Sequence, residues 1–141
     1  MIEWRNKHAK KRAFMLGSGP SLLSQMTDLA YLDTEITFGC SKLFQWTDMP
    51  FTPTYQVMTE LEHAKNASQY IWDGVQASFM VWHEPITADG WIWVPKLIPG
   101  EYLGNVGTRG FPDMDWSPLA QPRTSPLVAA QLALWMGITE I

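Results

Sequence analysis

Five runs of four or five β-forming residues recur along this chain, at 13–16, 36–40, 54–58, 78–82 and 91–94, each closed by a proline, a glycine or a polar residue. Runs so short, and apolar without clean alternation, suit strands covered on both faces. Between them lie stretches of helical spacing at 21–26, 28–32 and 60–72; in the last, Leu61, Ala64, Ala67 and Ile71 fall near one face. The final helix is the most fully specified element. Thr124 or Ser125 supplies an N-cap oxygen, Pro126 fits the first helical position, and Gly137 stands where a left-handed residue ends a helix. Every residue between Pro126 and Gly137 except Gln131 is apolar, so this helix is expected to be buried on most sides. Residues 138–141 then open a further strand. Strands alternating with helices predict an α/β domain with a mainly parallel sheet and flanking helices. One domain over 1–141 is expected, with the Pro/Gly-rich residues 95–123 as an irregular excursion.

Composition narrows the function classes. With 46% hydrophobic and 17% charged residues, the chain can bury a core and is not disordered. The longest helix-like apolar run, 127–136, is about half a membrane span, and the basic first residues lack the apolar stretch of a secretory signal. Cys40 is the only cysteine, which excludes an intrachain disulfide or a cysteine-based zinc site and makes a reducing, cytoplasmic compartment the expectation. The net charge of −4 is unevenly spread: residues 1–12 hold five cations against Glu3, and the rest hold thirteen acids against five cations. So acidic a body argues against a nucleic-acid-coating domain, which needs many phosphate contacts. The basic tip reads either as a solvated lead-in or as a contact for polyphosphate or headgroups.

The segment that carries chemistry is Gly17-Ser18-Gly19-Pro20-Ser21, between the first strand and a helical turn. Its glycines permit positive φ and let a ligand approach the backbone. Pro20 presets a helical turn whose N–H groups face outward, and the hydroxyls of Ser18 and Ser21 add donors. These features suit an anion at the carboxyl end of strand one. The absence of Gly-Lys-Ser/Thr excludes a Walker A loop, and Leu22 in place of a third glycine disfavours a standard dinucleotide site.

The run Lys11-Arg12-Ala13-Phe14-Met15-Leu16-Gly17-Ser18-Gly19-Pro20-Ser21-Leu22 resembles the opening of the 6-hydroxymethylpterin diphosphokinase MptE-like family. The related bacterial sialyltransferases of glycosyltransferase family forty-two share that opening. Glu35-Ile36-Thr37-Phe38-Gly39-Cys40-Ser41 is similar to their second strand, with Ser41 where Asn is usual, and Pro53-Thr54-Tyr55-Gln56-Val57-Met58 to their third. Arg123-Thr124-Ser125 and the helix through Gly137 resemble their late helix, which starts beside the nucleotide. The resemblance covers roughly half the chain. It implies a Rossmann-like fold and a bound nucleotide, with Gly17, Ser18, Gly19, Pro20 and Ser21 on phosphate and Ser41, Arg123, Thr124 and Ser125 lining the site. It also implies a further strand ending in Gly-x-Asp after Ile141, so the domain is expected to be incomplete and to self-associate.

The two branches differ in chemistry. The pterin branch implies diphosphate transfer from ATP, with magnesium, to a small hydroxymethyl acceptor. The sialyltransferase branch implies transfer from a CMP-sugar, with a His base before the late helix. Here Asp113 and Asp115 stand in that place, and no His follows Glu84. The two aspartates read either as magnesium ligands or as a solvated acidic loop. Glu60, just past the third strand, is either a ribose or metal contact or an ordinary helix-start acid. Arg109 and Arg123 suit phosphate, and His83 beside Glu84 is compatible with acid–base work. Trp91 and Trp93 share a strand face and are read as packing residues. The expectation is a nucleotide-binding transferase. Its alternatives are a glycosyltransferase or a non-catalytic nucleotide- or glycan-binding module, without a nucleic-acid partner or a membrane span.

Overall fold

In a computed structural model of the chain, the structure describes residues 2–46, 48–60, 71–82, 89–95 and 125–141. Five strands form one all-parallel sheet in the order β1 (Ala13–Leu16), β2 (Ile36–Cys40), β3 (Tyr55–Met58), β4 (Ala77–Trp82) and β5 (Trp91–Pro95). The α/β, Rossmann-like reading holds. β3 is buried at all four positions, as a central strand covered on both faces should be. Pro95 closes β5 from within rather than stopping the strand short of itself. It is tolerated there because β5 pairs only with β4 among the described strands, so a missing N–H costs little.

The side-chain alternation of the strands sorts the core into two layers. Phe38, Cys40, Tyr55, Val57, Phe79, Val81 and Val94 point to the face covered by helix α2 (Ser125–Trp135), where Val128, Ala129, Leu132 and Ala133 meet them. The opposite layer packs Leu16, Leu29, Leu43 and Phe51 with Leu22, Met26 and Trp72. Its connection is not one α-helix: Pro20–Gln25 is a 3-10 turn, Met26–Leu29 is the short helix α1, and Ala30–Leu32 is again 3-10. Residues 61–70 lie outside the described residues. Glu60, Ile71 and Trp72 are not helical, so the helix expected over 60–72 does not reach those bounds.

α2 ends as its sequence predicts. Gly137 has φ 88°, the Gly137 N–H bonds the Leu134 carbonyl at 2.9 Å, and the Ile138 N–H bonds the Ala133 carbonyl at 3.0 Å. This is the paired-bond C-terminal cap that needs a left-handed residue. The chain then runs beside β1. The Thr139 N–H donates to Lys11 O and the Ala13 N–H to Glu140 O, both at 2.9 Å, with a parallel bridge between Arg12 and Glu140. β1 thus has β2 on one edge and the C-terminal segment on the other. Successive strands grow the sheet away from β1 in one direction, and α2 carries the chain back to its far side.

The basic lead-in is not merely solvated. Its backbone docks on the last carbonyls of α2: Asn6 N–H to Trp135 O at 3.3 Å, His8 N–H to Met136 O at 2.8 Å and Lys10 N–H to Gly137 O at 2.9 Å. Asn6 and Lys10 adopt positive φ to do so. Trp4 packs edge-on against Tyr55 and Phe79, and the Lys7 ammonium lies 4.0 Å above the Trp4 ring. These residues close the amino end of the sheet and leave the carboxyl end to other work. Among the described residues no helix is long and apolar enough to cross a membrane.

Candidate functional site

Reversal of sheet growth at β1 creates a switch point, and α/β sheets bind ligands at the carboxyl ends of strands beside such a point. The segments meeting there are the loop 17–21 after β1, Ser41 after β2, Thr59 and Glu60 after β3, and the start of α2. The structure therefore brings together Gly17, Ser41 and Ser125 from 24 to 108 residues apart in sequence. A Cβ built on Gly17 would stand 3.6 Å from the Pro126 ring, which marks how closely α2 approaches the loop.

The loop departs from expectation in one respect. Neither Gly17 nor Gly19 has positive φ; Gly19 is extended at φ −72°, ψ 149°. Their value is space rather than conformation. Among the described residues a Cβ on Gly19 would meet nothing nearer than the Ser21 hydroxyl at 3.9 Å, so these residues leave the loop open. Pro20 starts the 3-10 turn as read from sequence, and among the described residues no side chain caps that start.

At the ends of β2 and β3 the side chains form a network around Ser125. The Ser41 hydroxyl donates to Ser125 Oγ at 2.7 Å, and Thr59 Oγ1 lies 2.7 Å from the same atom. Ser125 Oγ donates to Glu60 Oε1 at 3.4 Å, and the Thr59 N–H donates to Glu60 Oε2 at 3.2 Å. Ser125 is 5% exposed, whereas Ser41, Thr59 and Glu60 are half-buried. Ser41 holds its place with φ 54°, a left-handed backbone that Asn tolerates best among non-glycine residues. Beneath it, burial foremost and the nearby Glu60 carboxylate push the Cys40 thiol up to about 12, so Cys40 is a protonated core residue and not a nucleophile.

Sequence reasoning named Ser41, Ser125 and the 17–21 loop, and raised Glu60. It missed Thr59, whose only signal is its place just past β3. Arg123, Thr124, Asp113, Asp115, Arg109 and His83 lie outside the described residues. Trp91 is buried, in keeping with packing. Among the described residues no group of three or more His, Cys, Asp or Glu side chains could hold a metal ion. Neither protein-family models, nor curated proteins, nor solved structures give a match to the chain.

Proposed function

We propose that this chain is a nucleotide-binding transferase domain of the MptE-like type, which moves diphosphate from ATP to a small hydroxymethyl acceptor. One observation carries the reading: the open loop 17–21, the ends of β2 and β3 and the start of α2 converge at the switch point beside β1. In this reading Ser18, Gly19, Pro20 and Ser21 hold phosphate. Ser41, Arg123, Thr124 and Ser125 line the nucleotide, and Asp113 and Asp115 take part in holding magnesium.

Isothermal titration against ATP, CMP and a CMP-sugar, each with and without magnesium, tests it. Metal bridging of phosphates predicts ATP binding that strengthens with magnesium. Replacing both aspartates, Asp113→Asn with Asp115→Asn, should remove the magnesium effect and leave weak metal-free binding. CMP binding indifferent to chelator would move the assignment to glycosyl transfer. Nucleotide binding without turnover of any donor would make the chain a binding module. No binding of any of the three would sink the nucleotide reading.

A further inference from the structure

Proton bookkeeping around Ser125 restricts what the β2–β3 side of this edge can bind. A serine hydroxyl has one proton and two lone pairs, and a carboxylate can only accept. Ser125 gives its proton to Glu60, at 3.4 Å, and accepts from Ser41 at 2.7 Å. The remaining 2.7 Å contact is satisfied only if Thr59 also donates to Ser125. Ser41 and Thr59 have then turned their only hydroxyl protons inward, and what they retain is lone pairs. Both are half-buried, and so is Glu60; the keystone Ser125 beneath them is buried. The ends of β2 and β3 thus present two neutral acceptor oxygens beside a carboxylate. Two such oxygens accept hydrogen bonds and have no proton to offer a phosphate.

We infer that Ser41 and Thr59 form a subsite for neighbouring hydroxyl groups of a phosphorylated sugar, the ribose of a nucleotide included. The inference rests on the reading that the 17–21 loop takes the phosphate. The two halves of the edge are complementary in chemistry: backbone donors after β1, acceptors after β2 and β3. Adjacent strands lie about 4.8 Å apart, so the ends of β1 and β3 are separated by roughly 10 Å. That span is too long for one phosphoryl group and suits a phosphate joined to a pentose. Two acceptors flanking one keystone oxygen match a pair of adjacent hydroxyls.

The test compares ATP and CMP with their 2′,3′-dideoxy analogues, and ribose 5-phosphate with inorganic phosphate, by titration calorimetry. Whichever nucleotide binds should bind about tenfold or more tightly than its dideoxy analogue, since the analogue leaves the acceptors unmet. Ribose 5-phosphate should likewise exceed inorganic phosphate. In Thr59→Val the preference should collapse toward unity while affinity for the dideoxy analogue stays put, and Thr59→Ser should restore it. Ser41→Ala gives the same reading if Thr59→Val does not fold. Equal binding of nucleotide and dideoxy analogue would overturn the subsite and leave the phosphate reading standing. A Thr59→Val loss shared equally by both ligands would overturn it too, because a purely structural role behaves that way. If neither nucleotide, ribose 5-phosphate nor inorganic phosphate binds, the phosphate reading and the subsite fall together.

Discussion

Ser41 carries a cost and a task at once. At φ 54° its Cβ crowds the backbone, a strain of about 1–2 kcal/mol for an ordinary L-residue. The hydroxyl placed by that conformation bonds Ser125. The two effects separate by substitution. Ser41→Ala keeps the strain and loses the bond, so it should cost about 1 kcal/mol of stability. Ser41→Gly loses the bond and relieves the strain, so urea denaturation should find it about as stable as wild type and clearly more stable than Ser41→Ala. Equal stability of the two variants would show that the backbone at this position is unstrained. The contrast also shows why part of the site was legible in the sequence and part was not. A Gly-Ser-Gly-Pro-Ser run after an apolar strand has a physical reason visible in its own residues. Thr59 does not, because one threonine after a strand looks like any other until topology sets it beside Ser125.

The elements divide in the same way. β1 to β5 and α2 were legible because burial on both faces writes itself into short apolar runs, and because Pro126 and Gly137 punctuate the helix. The docked N-terminal segment was not, since it is held by backbone N–H groups on the last α2 carbonyls, and backbone bonds leave no side-chain pattern. The left-handed turns at Asn6 and Lys10 are equally silent in sequence. Gly137 joins the legible part to the hidden one. Its φ of 88° ends α2, and a Cβ there would stand 2.9 Å from Ala9 Cα and 3.0 Å from Asn6 Cα. Backbone cannot yield as a flexible side chain can. Gly137→Ala should therefore cost about 2 kcal/mol or more, from the left-handed conformation and the clash together. Urea denaturation with the midpoint lowered by less than the equivalent of 1 kcal/mol would mean that the N-terminal segment is easily displaced.

Across the whole molecule the two ends of the sheet have different roles. At the amino end, His8 Nε2 lies 2.6 Å from the buried Tyr55 hydroxyl, which bonds Gln76 at 3.3 Å. Burial, and then the charge of Lys7, hold the His8 pKa below its ordinary 6.5. The unfolded chain therefore takes up that proton at higher pH than the folded one, so the contribution is whole above about 6.5 and is lost as pH falls below it. Glu35, its pKa lowered chiefly by its bond to Arg12, adds a similar loss further into acid. The melting temperature should fall between pH 7.5 and 5.5, and fall less in His8→Gln, while nucleotide affinity at pH 7.5 is the same in both. At the carboxyl end the reverse holds. Among the described residues a Cβ on Gly19 meets nothing nearer than the Ser21 hydroxyl at 3.9 Å, so Gly19→Val should fold with wild-type circular dichroism and melting temperature yet bind no nucleotide. α2, with 11 residues, separates the ends by ~16 Å, beyond the range at which substitutions couple. The double variant should accordingly show the stability of His8→Gln and the binding defect of Gly19→Val, each undiminished. A Gly19→Val protein that still binds would remove the loop from the site, and a His8→Gln protein with weakened binding would show that the amino end reaches the ligand after all.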